Sequence, residues 1–251
     1  MPAFQVNQRQ SVEVFLDQSK LDEVMKRRVP TRYFWCDMSD IFGEWVPREM
    51  IQACFDVMEA TPQHTHLVLT KRPERIEPVL YGAEGNWYLG GGDWLPNVWI
   101  GFSAEDQATF DQRWAVFQRR DGERCSWAYA MHLFVSLEPL LGPICLPPMT
   151  DPTLGWVIVG GESGPGARPF DLVWARSLIW QCQDAGIACF VKQVGRAPYD
   201  SRHRWISRGG RVVVPVDSEW TSRDPLHDIK GGDPAEWPED LRVRQFPTVT
   251  P

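Results

Sequence analysis

An α/β fold built on a parallel sheet, either doubly wound or closed toward a barrel, is what three features of the sequence predict. Six short apolar runs, rich in Val, Ile, Phe and Trp, recur between residues 32 and 191. Helical or crossover segments separate them, the alternation expected of strands joined by right-handed connections. Each run also turns polar at its C-terminal end, the end where ligands bind in both architectures.

The 251 residues are 43% hydrophobic, enough for one large domain with a full core. Lys and Arg number 26 against 33 Asp and Glu, giving a formal charge of -7. That balance argues against non-specific nucleic-acid binding. A local basic site stays open, because Arg196, Arg202, Arg204, Arg208 and Arg211 cluster late in the chain. The six cysteines, Cys36, Cys54, Cys125, Cys145, Cys182 and Cys189, include no Cys-x2-Cys or Cys-x3-Cys pair. They read as free thiols in a reducing compartment, with no metal site. No charged-then-apolar leader and no apolar run of about 20 residues is present, so the expectation is a cytoplasmic protein without a membrane span.

The elements follow in order. Residues 1–30 are polar, and Val12, Phe15, Leu16, Leu21, Val24 and Met25 outline short amphipathic helical pieces ending before Pro30. Arg32 to Asp37 reads as the first strand. Pro47 opens a helix whose apolar face is Met50, Ile51, Cys54, Phe55 and Met58. His66 to Thr70 is the second strand. A Gly-rich loop with Gly82, Gly85 and Gly90 to Gly92 follows, where Trp87 and Trp94 are candidates to stack on a planar ligand. Val98 to Ser103 is the third strand, and Phe110, Trp114 and Phe117 mark a helix stopping near Gly122. His132 to Ser136 is the fourth strand; Trp156 to Val159, apolar throughout, is the fifth. Its helix starts at the N-cap Asp171 and stops at Gly186. Ile187 to Val191 is the sixth strand. Arg211 to Val214 suggests a hairpin strand in a Pro-rich tail.

The strand ends gather the candidate residues: Asp37, Ser39 and Asp40; Thr70, Lys71 and Arg72; Ser103 and Glu105; Ser136 and Glu138; Gly160, Gly161 and Glu162; Lys192 and Gln193. Each has a plain structural reading beside the functional one. Asp37 or Asp40 can cap a helix, Lys71 and Arg72 can form a rim salt bridge or clamp an anion, and Glu105 can offset a helix dipole. Glu138 precedes Pro139, which fixes the chain and aims the side chain. Glycines at the end of the fifth strand let backbone N–H groups approach a ligand. Several carboxylates on one rim can also hold a divalent cation or serve as a glycosidase pair. There is no Gly-x-Ser-x-Gly elbow, no phosphate loop ending in Gly-Lys-Ser/Thr and no His-Glu-x-x-His, which weighs against common serine hydrolases, nucleoside triphosphatases and zinc peptidases.

In this order, the motifs Met38-Ser-Asp40 with Phe42, Leu69-Thr-Lys-Arg72, Trp99-Ile-Gly-Phe-Ser103, Ser136-Leu-Glu-Pro-Leu-Leu-Gly-Pro143, Val157 to Pro169, Phe190-Val-Lys-Gln193 and the tail from Gly231 to Pro247 resemble a phage and bacterial family of unknown function. Full-length members of that family look like radical S-adenosylmethionine proteins. The resemblance implies a parallel-stranded partial (β/α) barrel, TIM-like and open, here missing its first strand. Residues 1–30 would be an N-terminal helical segment, 31–200 the barrel core and 201–251 an extension packing on it. The resemblance also implies a cysteine triplet holding a [4Fe–4S] cluster, spaced Cys-x3-Cys-x2-Cys or near it, and this sequence contains no such triplet.

By the same resemblance, Ser39, Ser103, Ser136, Gly160, Gly161 and Glu162 are candidates to bind S-adenosylmethionine. Glu138, Lys192 and Lys71 are catalytic candidates, and Asp37, Asp40, Arg72, Glu105 and Gln193 are substrate candidates. The expected function is a radical S-adenosylmethionine-type enzyme of unknown substrate, inactive alone or completed by a partner polypeptide that supplies the cluster segment. The alternatives are a cluster-less nucleoside-binding module and a carboxylate- or metal-dependent barrel enzyme.

Overall fold

The computed structural model describes residues 14–36, 39–80, 95–118, 132–147, 154–201, 205–206, 212–213 and 226–247. Its centre is a six-stranded, wholly parallel sheet, curled into an open half-barrel. The strands are β1 (Arg32–Trp35), β2 (Thr65–Thr70), β3 (Val98–Ser103), β4 (His132–Leu137), β5 (Leu154–Gly160) and β7 (Ala188–Gln193), neighbouring one another in that order. The two-residue β6 (Phe170–Asp171) pairs in parallel with β8 (Pro198–Tyr199), and β9 (Trp205–Ile206) pairs antiparallel with β10 (Val212–Val213). The helices are α1 (Gln18–Lys26), α2 (Arg48–Glu59), α3 (Ile76–Leu80), α4 (Gln107–Trp114) and α5 (Leu172–Ala185).

Sequence chemistry explains the boundaries. The Asp17 carboxylate accepts from the N–H groups of Ser19 and Lys20 and starts α1. Asp106 does the same for α4 through Thr109, and Asp171 for α5 through Val173. Gly186 closes α5 in the left-handed region, at φ 69°. Trp87, Trp94 and the Gly-rich loop, Asp37, Cys125 and residues 1–13 lie outside the described residues.

Alternation along the strands sorts the side chains into two cores. Val98, Ile100 and Phe102 of β3, with Val135, Val157, Val159 and Val191, face the helices and pack on Phe55, Met58, Phe110 and Leu178. Leu67, Trp99, Phe134, Trp156 and Ile158 face the opposite, concave side, joined by Leu69 and Phe190. Gly101 makes room there: a Cβ at that position would lie 2.5 Å from the Phe134 ring, so the phenyl of β4 rests on the bare backbone of β3.

The C-terminal segment braces this sheet. Val191 N–H donates to Val243 O at 2.8 Å and Gln245 N–H to Cys189 O at 2.9 Å, so residues 243–245 run antiparallel along the β7 edge. Phe246 then turns onto Phe190 and Trp156, with centroids 5.0 and 5.6 Å apart. The Arg32 guanidinium of β1 sits 4.0 Å over the same ring, so a cation–π contact ties β1, at one edge of the half-barrel, to the segment that runs along β7 at the other.

Candidate functional site

The C-terminal ends of the strands form a mouth above the concave apolar core. Its floor is Phe134 and Ile158, with Leu69 and Phe190 half-buried. Two residues beyond Phe134, and level with Ile158 and Phe190, Ser103 and Ser136 stand side by side in register on β3 and β4. Both are buried, and the Ser103 hydroxyl has no hydrogen-bond partner. A buried hydroxyl without a partner costs roughly 1–3 kcal/mol.

Ion pairs ring this serine layer. Lys71 Nζ donates to Glu105 Oε1 at 2.9 Å, and Arg113 Nη1 reaches Glu105 Oε2 at 3.3 Å. Arg113 also donates to the Ser103 carbonyl, tying α4 to the end of β3. Glu138, preceding the cis Pro139, extends across Gly160 to Lys192 Nζ at 3.0 Å. A Cβ on Gly160 would lie 3.2 Å from the Glu138 side chain, so this glycine lets a β4 carboxylate pass over β5 to a β7 lysine. Glu162 and Arg168 form a bidentate pair at 3.0 and 3.1 Å, and Arg168 N–H adds a bond at 2.9 Å. These bonds hold the Glu162 carboxyl below its usual range; Glu162 and then the more distant Glu105 raise the Arg168 guanidinium.

The strand ends therefore bring together Lys71, Glu105, Ser103, Ser136, Glu138, Lys192 and Glu162. Other candidates have structural roles. Asp40 accepts from Thr70 Oγ1 at 2.8 Å, Phe42 N–H at 3.0 Å and Lys71 N–H at 2.9 Å, with Arg72 Nη1 at 3.5 Å. It fastens the loop after β1 to the end of β2. Asp40→Ala should therefore lower unfolding free energy by about 2–3 kcal/mol in urea melts, through three donors left without a partner. A loss of under about 0.5 kcal/mol would contradict this role. Gln193 donates its amide to Gly161 O at 2.7 Å, and Gly161 N–H is engaged by Gln193 O at 3.0 Å. That N–H is consequently turned into the fold. Ser39 is exposed in the turn after β1.

Arg113 had no sequence signal, because its partners are 8 and 10 residues away on a different element. Arg168 lies within the fifth-strand motif, but its role becomes visible only from its fork on Glu162.

The sequence pattern of a family described as "Protein of unknown function (DUF5131)" matches residues 2–221. The chain belongs to that family. No curated protein matches it, and no solved structure does. Among the described residues, no three His, Cys, Asp or Glu side chains converge as a metal site. Cys54, Cys182 and Cys189 are buried, Cys36 is half-buried and Cys145 is exposed. Burial pushes the Cys54 thiol up to about 12, and the Cys182 thiol is raised by its hydrogen bond to Cys189 and by burial. An iron–sulfur cluster needs closely set thiolates, and these described cysteines do not fit one.

Proposed function

We propose that the mouth binds S-adenosylmethionine or a ligand of the same build, and that the chain works with a partner polypeptide carrying the cluster segment of a radical S-adenosylmethionine-type enzyme. The observation that carries this reading is the buried, unpartnered Ser103 hydroxyl beneath a ring of paired charges. The ligand's aminocarboxylate is a zwitterion. Its ammonium suits Glu138, its carboxylate suits Lys192, and the Ser103 hydroxyl is free to bond a ribose or amino group. The apolar floor of Phe134, Ile158 and Phe190 suits the flat adenine.

Ser103 and Ser136 orient the ligand in this reading, Glu138 and Lys192 hold its charged end, and Lys71 and Glu105 face the substrate. The described cysteines favour a second reading in which the chain is a ligand-binding module without chemistry of its own.

Equilibrium dialysis with S-adenosylmethionine and S-adenosylhomocysteine tests the site. Wild type should bind both, Ser103→Ala about fivefold more weakly and Glu138→Gln at least about tenfold more weakly. No binding at millimolar ligand, or binding unaffected by Glu138→Gln, would overturn the site. Formation of 5′-deoxyadenosine under reducing, anaerobic conditions with the partner present separates the enzyme from the binding module.

A further inference from the structure

The ion pairs at the mouth are layered. In four of the five among the described residues, the carboxylate lies below and the cation above; Arg113, level with Glu105 at 19% against 20%, is the exception. Lys71 is 58% exposed over Glu105 at 20%, and Lys192 is 52% exposed over Glu138 at 20%. Arg168 over Glu162 and Arg72 over Asp40 repeat the order. A chain of formal charge -7 thus presents an arc of ammonium and guanidinium groups to anything approaching this end of the barrel. The cations keep donors in reserve: an ammonium has three, and Lys71 and Lys192 each make one bond, to Glu105 and Glu138. The carboxylates beneath hold the cations in place without covering them.

The arc is long. From β2 to β7 the rim crosses four inter-strand gaps, about 19 Å along the curve at about 4.8 Å per gap. A ligand with two anionic groups can engage both arms of the arc at once.

We propose that the second ligand of the mouth, the substrate proper, carries at least two phosphates, and that Lys71, Arg168 and Lys192 bind them, Lys192 through the one ammonium donor left by Glu138 and the S-adenosylmethionine carboxylate. This rests on the reading of the mouth as a ligand site and names the substrate class for it. The chemistry is shared by a nucleoside diphosphate and by the backbone of a short single strand.

The test uses the full chain without S-adenosylmethionine and four probes: inorganic phosphate, pyrophosphate, ADP and a single-stranded tetranucleotide. Calorimetry at low and moderate salt should give binding of pyrophosphate and of ADP or the tetranucleotide, at least about tenfold tighter than inorganic phosphate. Lys71→Ala and Lys192→Ala should each weaken it about fivefold and reduce the salt slope by about one, while Lys20→Ala on α1 changes neither. Preference for ADP identifies a free nucleotide as the source, and preference for the tetranucleotide identifies a strand. Binding of inorganic phosphate alone, no binding by any probe, or an equal loss in Lys20→Ala overturns the proposal. Because S-adenosylmethionine is absent, anion binding survives if only the reading of Ser103 fails. Loss of anion binding with S-adenosylmethionine binding intact rejects this inference alone.

Discussion

Gly231→Ala is expected to lower unfolding free energy by about 4 kcal/mol, the largest effect of any single substitution considered. Gly231 has φ 64°, and a Cβ there would lie 2.2 Å from the Gly195 carbonyl oxygen. Gly195 itself has φ 75° and presses on the backbone of Glu162, while a Cβ on Gly161 would meet Val194 O at 2.6 Å. Three backbone segments, from the ends of β5 and β7 and from the C-terminal extension, therefore cross with no side chain between them. An alanine in the left-handed region costs about 1–2 kcal/mol by itself. Relieving the clash also separates Gly231 O from Val194 N–H at 2.9 Å and from Trp237 Nε1 at 3.0 Å, each worth about 1 kcal/mol. Gly164→Ala is the matched control, since nothing lies within 4 Å of its Cβ position; it should stay within about 0.5 kcal/mol of wild type. Urea melts with hydrogen exchange over residues 226–247 read both variants. Equal stability of the two would show that the crossing can spread at no cost.

The strands were legible because burial on both faces leaves a continuous apolar run. Val98 to Ser103 is buried at every position, and Leu133 to Leu137 likewise. The α5 boundaries were legible because both ends use local chemistry, the Asp171 cap and the left-handed Gly186. Local sequence could not reveal contacts made across the sheet. Gly160 and Gly161 read as a ligand-facing turn; in the fold Gly160 clears the path of Glu138, and Gly161 lets the Val194 backbone close in. Periodicity stopped the last strand at Val191, whereas β7 runs to Gln193. Two polar residues, Lys192 and Gln193, interrupt its apolar run, and the edge gains its last support from distant Gly231 and Val243.

The candidate site divides in the same way. That polar residues would meet at one rim followed from strand direction alone, and Lys71 with Glu105 and Glu138 with Lys192 are such meetings. Which carboxylates brace a loop and which pair with rim cations depended on hydrogen bonds that no spacing encodes. Asp40 and Glu105 look alike as rim acids. Asp40 is occupied by three donors of its own loop and of β2, with Arg72 beside it, while Glu105 joins two cations facing the mouth.

Acid should destabilise the fold through His66 well before carboxylate protonation becomes important. His66 is fully buried, and its ring is a neutral link: Nδ1 accepts from Trp35 Nε1 at 3.0 Å, and Nε2–H donates to Thr61 Oγ1 at 3.0 Å. Neighbouring His64 is wired alike, accepting from Thr31 N–H at 3.2 Å and donating to Arg27 O at 2.9 Å. The pair, 6.2 Å apart, pins β1 to β2 and to the ends of α1 and α2. Burial, with a smaller contribution from His64, lowers the His66 pKa from 6.5 to about 4. The unfolded chain therefore takes up the proton near pH 6.5, whereas the folded chain resists it until about pH 4. Its stabilisation is complete above the unfolded value and is lost as pH falls through that window, about 3 kcal/mol in all. Burial lowers the His132 pKa and adds in the same direction. Glu162 contributes only further down, since its folded pKa lies below 4.5 and its stabilisation is lost as pH falls past that point. In His66→Gln the amide can accept from Trp35 and donate to Thr61 without titrating. Urea midpoints between about pH 7 and pH 4 should fall steeply for wild type and far less for His66→Gln. Parallel pH profiles would mean that His66 is already protonated in the folded chain and that its link to Trp35 does not hold β1.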